Sequence, residues 1–211
     1  MEHLTTLFKL LEITRLQPQY GYVLAGVSKS DLSDLAQHHY LVAMLALMLA
    51  KHMESKGVEI NTQKVLEIAL VHDLGELFGG DINFYYSRSN LKAREKAKAF
   101  EAENIEYLSK LFGKYGEDLK ANTEMFEAKG SNEAILAQCA DKLELVHYKL
   151  MIGKIIPEDI SSAKESVLNY SKKSTNDNFK KELENFIEQW AKEMPGKSIL
   201  ETMAGEIKEY N

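Results

Sequence analysis

Residues 69–82, ALVHDLGELFGGDI, combine an apolar helical pattern with a concentration of polar side chains. His72 and Asp73 are adjacent, Glu76 follows four residues after His72, and Asp81 comes directly after two glycines. At about 100° per residue, His72 and Glu76 share one face of a helix. The stretch therefore predicts a buried helix that carries polar groups on its last turns.

Two interpretations fit this stretch. A carboxylate beside an imidazole in apolar surroundings is costly unless a cation neutralises it, and a divalent metal bound by nitrogen and oxygen ligands would do so. The alternative is a helix end at which the polar side chains simply meet water. Other segments of the chain have to decide between the two.

Composition limits the possible classes of protein. The chain has 211 residues, 45% of them hydrophobic, which suits one domain with a sizeable core. The net charge of -6 argues against general binding to nucleic acid polymers or to an anionic membrane. The longest apolar run, residues 40–50, is shorter than the roughly 20 residues that span a bilayer.

Cysteine usage and the first residues predict the compartment. Cys139 is the single cysteine, so an intramolecular disulfide is excluded. Glu12 and Arg15 interrupt the early apolar stretch, which argues against a signal peptide. These features predict a cytoplasmic protein.

Apolar residues recur every three or four positions along most of the chain, and alternating patterns typical of strands are missing from the sequence. The sequence therefore predicts an all-α, single-domain helical bundle. The predicted helices span about residues 3–15, 33–56, 62–78, 90–113, 116–128, 132–152, 158–171, 177–193 and 197–209. A polar connection precedes an amphipathic helix near residue 177, so residues 1–175 are predicted as the core and 176–211 as C-terminal helices packing on it.

Two further segments place polar residues inside apolar helices. DLAQHHYLVAMLALMLA has His38 and His39 at its start, and AQCADKLELVHYKL contains Asp141. Taken singly, each has an ordinary explanation, a capping or surface histidine and an aspartate paired with Lys142. Taken together with His72 and Asp73, they supply imidazoles and carboxylates from three helices, a ligand set that suits a borderline divalent ion with room for water.

The order H…HD…D on successive helices resembles the HD-domain metal-dependent phosphohydrolases. The segments YGYVLAGV…LAQHHYLVAMLA, ALVHDLGELFGGDI and CADKLE are similar to the 5′-deoxynucleotidase branch, which includes the HD domain-containing protein 2 group, over roughly residues 8–150. The resemblance implies an HD-domain helical bundle with a metal site between core helices. It also implies hydrolysis of nucleoside 5′-monophosphates, deoxyribonucleotides among them, and a homodimer.

The resemblance also implies roles for individual residues. His38, His72, Asp73 and Asp141 become ligands of a divalent metal ion (Mn, Co, Fe, Ni, Zn or Mg), with His39 as the substitute for His38. Glu76 matches the acid that orients or deprotonates the attacking water. Asp81 matches an acid at the substrate pocket that contacts the sugar or assists the leaving oxygen. Arg15 matches a basic residue that holds the phosphate, a task for which a charged bidentate donor is suited.

The sequence departs from these relatives at three positions. Gln37 stands where Glu is common, Ala25 where a basic residue is frequent, and Leu16 where some deoxyribose-selective members carry an aromatic residue. Gln37 leaves open a catalytically weak nucleotide-binding protein. The other alternative is an HD phosphodiesterase for another nucleotide, although no additional histidine pair is placed to bind the second metal that such enzymes tend to use. Leu77 argues against the stringent-response hydrolases, which usually place a second acid there.

Overall fold

The computed structural model describes residues 2–195 together with residues 201 and 203. Nine α-helices form this part of the chain: α1 Glu2–Leu11, α2 Leu35–Ser55, α3 Thr62–Val71, α4 Phe84–Ser89, α5 Leu91–Phe112, α6 Gly116–Ala128, α7 Asn132–Met151, α8 Pro157–Ser171 and α9 Asp177–Glu193. Short 3₁₀ turns lie at Glu12–Arg15, Tyr20–Ala25, Lys29–Asp31, Leu74–Glu76 and Gly113–Tyr115. The described residues contain no β-strand and one isolated bridge, between Pro18 and Asp34. The predicted all-α, single-domain fold is confirmed.

Helices α2, α3 and α7 form the centre of the bundle, where each packs against the other two. Their facing side chains are small or branched and wholly buried, which lets the backbones approach closely. The buried set includes Val42, Ala46, Ala50, Val65, Ile68, Ala134, Ala137 and Ala140. Because this three-helix contact is closely packed and apolar, it holds the polar side chains on the same helices in place.

The C-terminal helices complete this core. Phe179, Leu183 and Ile187 on α9 are wholly buried in the same hydrophobic cluster as α2 and α7. Trp190 Nε1 donates a hydrogen bond to His147 Nε2 at 3.0 Å, joining α9 to α7. The domain boundary at residue 175 stays a prediction, and the helix predicted at 197–209 lies outside the described residues apart from positions 201 and 203.

A second, smaller cluster holds the segment after α3. Leu74 and Leu77 are buried against Ile105 and Leu108 of α5 and Leu119 of α6. Asn104 Nδ2 donates to the carbonyl oxygen of Gly75 at 2.7 Å. A side chain at position 75 would place its Cβ 3.0 Å from that of Glu101, so the absence of a side chain permits this close approach.

The prediction of one helix over residues 62–78 is wrong in its second half. The α-helix ends at Val71, and Asp73 adopts φ -109° and ψ 15°, outside helical backbone. The Ala69 carbonyl accepts a hydrogen bond from His72 Nδ1 instead of continuing the helical ladder. Helix α4 and the 3₁₀ turn at Tyr20–Ala25 were missed, because six-residue segments are too short to show a clear apolar period. Among the described helices, none is long and apolar enough to cross a membrane.

Candidate metal centre and active site

Four polar side chains predicted as a set come together between the central helices. His38 lies on α2, His72 and Asp73 directly follow α3, and Asp141 lies on α7. One donor atom from each of the four lies within 4.8 Å of the other three. The structure thus brings the four residues together, and their role as metal ligands stays a prediction.

The donor atoms converge tightly. His38 Nε2 lies 3.4 Å from Asp73 Oδ2 and 3.4 Å from Asp141 Oδ1. His72 Nε2 lies 3.2 Å from Asp73 Oδ2 and 3.9 Å from Asp141 Oδ1. The histidine side chains are 1% or less exposed, whereas the aspartates are 24% and 23% exposed, so the cluster is buried on one side and open on the other.

The far nitrogen of each imidazole is already engaged. His72 Nδ1 lies 2.8 Å from the carbonyl oxygen of Ala69, and His38 Nδ1 lies 2.7 Å from Glu144 Oε2. Both partners are acceptors, so each Nδ1 carries the hydrogen and each neutral ring presents a bare Nε2 to the cluster. This is the tautomer that a metal-binding histidine requires.

Electrostatics show that the cluster attracts positive charge. Burial opposes protonation of His38, but hydrogen bonds to Asp141, Asp73 and Glu144 raise its pKa well above the ordinary value. Burial likewise opposes protonation of His72, whose pKa is nevertheless raised, chiefly by the charge of Asp73. Burial also disfavours the charged form of Asp73, yet the two imidazoles hold its pKa well below the ordinary value. The residues together favour a bound cation.

A divalent metal fits this donor set. Two neutral imidazole nitrogens and two carboxylate oxygens suit borderline ions such as Mn²⁺, Fe²⁺, Co²⁺, Ni²⁺ and Zn²⁺. The partly open side leaves room for water or substrate, as expected of a catalytic rather than a structural site. The two carboxylates would neutralise the charge of such an ion.

His39 lies beside the cluster but outside its donor set. Its ring centroid is 5.1 Å from that of His72, and its Nε2 has no hydrogen-bond partner among the described residues. Burial, followed by the positive charge of His72, lowers the pKa of His39 to about 3, so the ring is neutral. The geometry supports His38 rather than His39 as the member of the cluster.

Glu76 lies in the 3₁₀ turn next to the cluster, in the wall of a cleft of about 560 Å³ that His72 and Asp73 also line. Burial raises the pKa of Glu76 well above the ordinary value, and the negative charges of Asp73, Asp81 and Glu101 add to the effect. The expected helical relation between residues 72 and 76 is absent because α3 ends earlier, but both residues still face one cleft.

Asp81 lies at a second cavity of about 190 Å³, lined also by Gln19, Tyr22 and Lys142. Its Oδ2 accepts a hydrogen bond from the Gly21 backbone, so the carboxylate is tied to the 3₁₀ turn at Tyr20–Ala25. Burial raises the pKa of Asp81, and the nearby charge of Asp73 adds to this.

Arg15 is not brought to the cluster by any contact that the structure describes. Its side chain is 71% exposed, and Nε pairs with Glu12 Oε2 at 2.9 Å. The described walls of the two cavities do not include it. Its predicted phosphate-binding role stays a prediction.

Two of the three departures from the relatives have a structural account. Gln37 is exposed, and its backbone N–H and Nε2 both donate to Asp34, the N-terminal cap of α2. Gln37 thus serves the start of the helix, and the loss of a carboxylate there leaves the cluster intact. Leu16 is 80% exposed, and the described walls of the two cavities do not include it.

Glu144 is the site residue that the sequence analysis missed. It is 2% exposed and contacts His38 directly. Two signals in the sequence point to it: a carboxylate inside an apolar helix is costly without a partner, and Glu144 lies three residues after Asp141, on the same face of α7.

Comparisons with known proteins agree with this geometry. The family model described as HD domain matches residues 26–186, which include all four residues of the cluster. The chain is 28% identical over 148 residues to the 5′-deoxynucleotidase HDDC2 of Dictyostelium discoideum, covering 69% of this chain and 75% of the relative. It is 24% identical over 158 residues to the 5′-deoxynucleotidase HDDC2 of Danio rerio, covering 73% and 74%.

A solved structure is also similar. The PH0347 protein from Pyrococcus horikoshii OT3 superposes with a TM-score of 0.66 and 25% identity, covering 89% of this chain and 98% of the other. The family match spans more than half of the chain, and the clustered His38, His72, Asp73 and Asp141 occupy the matched segment. The chain belongs to the HD domain family.

Proposed function

We propose that this protein is a metal-dependent phosphohydrolase that releases phosphate from nucleoside 5′-monophosphates, with deoxyribonucleotides as the first substrates to test. The observation that carries the proposal is the convergence of His38, His72, Asp73 and Asp141 within 4.8 Å, beside a cleft that Glu76 lines. The relatives named 5′-deoxynucleotidase support the choice of substrate class.

His38, His72, Asp73 and Asp141 would hold the divalent ion, and the open side of the cluster would admit the phosphate. When bound, the ion supplies Lewis acidity that lowers the pKa of water and shields phosphate charge. The two aspartates are the residues of the cluster that face the accessible side, since they are more exposed than the histidines.

Glu76 is the group that takes the proton from the attacking water. A general base works best when its pKa lies near the operating pH, and burial moves the pKa of Glu76 upward from the ordinary carboxyl value. The 3₁₀ turn and the bond from Asn104 to Gly75 hold its backbone in place. Glu76 thus has a backbone held in place and a pKa raised in the direction that favours a general base.

Asp81 would contact the substrate from the second cavity. Its bond from Gly21 fixes the carboxylate, leaving it to accept a hydrogen bond from a sugar hydroxyl or to assist the leaving oxygen. Arg15 would bind the phosphoryl oxygens as a charged bidentate donor. For Arg15 this requires release from Glu12, which pairs with it in this structure.

The assembly, the cellular location and the identity of the metal were inferred only from the sequence and the resemblance. A homodimer, a cytoplasmic location and the metal used in the cell all stay predictions. A nucleotide-binding protein without turnover and a phosphodiesterase for another nucleotide are the competing functions.

A substrate screen distinguishes these functions. Metal-free protein is supplied separately with Mn²⁺, Co²⁺, Fe²⁺, Ni²⁺, Zn²⁺ or Mg²⁺ and incubated with ribo- and deoxyribonucleoside 5′-monophosphates or with cyclic nucleotides. Free phosphate is measured, and nucleotide products are separated by chromatography. We expect release from at least one monophosphate with at least one metal. Nucleotide binding without release under every metal would support the binding protein, and cleavage confined to cyclic nucleotides would support the phosphodiesterase.

A further inference from the structure

We propose that Glu144 is a positioning residue for the metal centre, holding His38 so that Nε2 points at the other donor atoms. This inference rests on the proposed metal site. It concerns how strongly the site binds the ion rather than the chemistry that follows.

The contact is short and fully enclosed. Glu144 Oε2 lies 2.7 Å from His38 Nδ1, and the two side chains are 2% and 1% exposed. Because the carboxylate accepts, His38 Nδ1 must donate, which leaves Nε2 as a bare lone pair. Carboxylates that accept from a metal-binding histidine fix its orientation and raise its basicity toward the metal.

Helix α7 places both groups. Asp141 and Glu144 lie three residues apart, so they share one face of the helix. One turn of α7 therefore places an Asp141 oxygen in the cluster and the Glu144 carboxylate against Nδ1 of His38, on the far side of that ring. The packing of α2 against α7 places His38 beside Glu144.

The two histidines of the cluster are held differently. His72 Nδ1 donates to the backbone carbonyl of Ala69, an acceptor that side-chain substitution does not remove. His38 depends on a side chain instead. Substitution at position 144 therefore alters the support of one imidazole and leaves the support of the other in place.

Stability alone does not account for a carboxylate at this position. Leu143 and Val146, one and two positions from Glu144 on α7, are core residues, and Glu144 Oε1 has no hydrogen-bond partner among the described residues. A buried carboxylate with a half-satisfied hydrogen-bonding capacity destabilises the fold relative to an apolar side chain. The contact with His38 therefore gives a functional reason for a carboxylate at this position.

The test is the affinity of the metal-free protein for Mn²⁺ alone, measured by calorimetric titration without nucleotide. Glu144→Gln keeps the size of the side chain and removes its charge, and Glu144→Ala removes the acceptor. We expect the Kd for Mn²⁺ to rise about 10- to 100-fold, the range observed when such supporting partners are changed. Because the Gln variant preserves the packing, it decides the matter if the Ala variant does not fold.

Leu143→Ala is the matched control, since it removes a buried side chain from the same turn of α7 without touching the contact to His38. We expect its Kd for Mn²⁺ to stay within about twofold of the parent, despite a loss of stability. A second measurement is the visible absorption of the Co²⁺-loaded proteins, whose bands respond to ligand geometry. They should shift in Glu144→Gln and stay unchanged in Leu143→Ala.

The outcomes separate this inference from the proposed function. If the parent binds Mn²⁺ and Glu144→Gln binds it equally well, the positioning role is wrong while the metal site stands. If Leu143→Ala weakens binding as much as Glu144→Gln, the effect is general destabilisation and the inference is also wrong. A parent protein that binds no divalent metal would overturn both proposals.

Discussion

The Nε2 atoms of His38 and His72 lie 3.2 Å apart in the interior of the bundle. Both rings have their Nδ1 engaged by an acceptor, so in the neutral tautomers two lone pairs face each other. Asp73 and Asp141 add negative oxygens to the same space. Such an arrangement is repulsive unless a proton or a metal ion lies among the four groups, and the ligand types favour a metal.

Removal of one carboxylate should therefore empty the site. We expect the parent to carry about one divalent ion per chain after metal loading and desalting, and Asp141→Ala to lose most of it. Metal content is measured by elemental analysis, with Asp118→Ala, an exposed substitution on α6, as the control. Equal occupancy in parent and Asp141→Ala would remove Asp141 from the ligand set.

The raised pKa of Glu76 predicts a pH-dependent effect on the stability of the metal-free protein. The folded state binds a proton on Glu76 more tightly than the unfolded chain does. Protonation of Glu76 therefore stabilises the fold fully below the ordinary pKa of 4.5, and this stabilisation is lost as the pH rises through the folded pKa. Gln cannot ionise. Relative to the parent, the Tm of Glu76→Gln should therefore rise between about pH 5 and about pH 8.

The Tm difference between variant and parent isolates Glu76 from other titrating groups. Glu165→Gln, an exposed substitution on α8, is the control. A Tm difference for Glu76→Gln that is the same at both pH values would contradict the proposed burial of its charge.

Arg15→Ala should lower kcat/KM about tenfold, the effect of losing one charge-assisted hydrogen bond to phosphate, while metal content stays unchanged. Because Glu12 pairs with Arg15, Glu12→Ala should leave kcat/KM unchanged or raise it. Steady-state kinetics on both variants test the assignment. If Arg15→Ala keeps the kcat/KM of the parent, Arg15 is simply an exposed partner of Glu12.

Gly116 begins α6 at a close approach to α5. A Cβ at this position would lie 2.1 Å from the backbone oxygen of Ser109, so Gly116→Ala should destabilise the protein by about 1–3 kcal/mol. Gly130 has no atom within 4 Å of an added Cβ and provides the control Gly130→Ala. Urea denaturation of both variants measures the difference, and equal free energies of unfolding would show that α5 and α6 can separate at no cost.

Most of the helices follow from the apolar period alone, because α2, α7 and α9 are long and each buries a continuous face. A cluster of polar residues from these segments was also predictable, since they interrupt apolar patterns in which unpaired polar groups are costly, whereas the choice of His38 over His39 came from the resemblance. The break after Val71 was not, because residues 72–78 keep helical spacing while tertiary contacts with α5 impose a turn.

Other features of the site depend on contacts between segments that are distant in the sequence, and these contacts could not be predicted. The local pattern marks Glu144 as a carboxylate in an apolar helix, but its role depends on its proximity to His38, 106 residues away, which no local pattern shows. The same is true of the bond between Gly21 and Asp81, 60 residues apart, which joins a short 3₁₀ turn to the second cavity. Arg15 was assigned to the phosphate by the resemblance; the structure pairs it with Glu12, and its role stays a prediction.

Glu76→Gln tests the central claim, that a metal centre and an adjacent carboxylate hydrolyse a nucleoside monophosphate. The substitution keeps the size of the side chain but removes its ability to accept a proton at neutral pH. Phosphate release, metal content and nucleotide affinity are measured on one preparation each of parent and variant. We expect metal and nucleotide binding to persist while phosphate release falls about 100-fold or more. Equal phosphate release by parent and variant would contradict the role of Glu76, and a parent that binds nucleotide but releases no phosphate with any metal would contradict the enzyme itself.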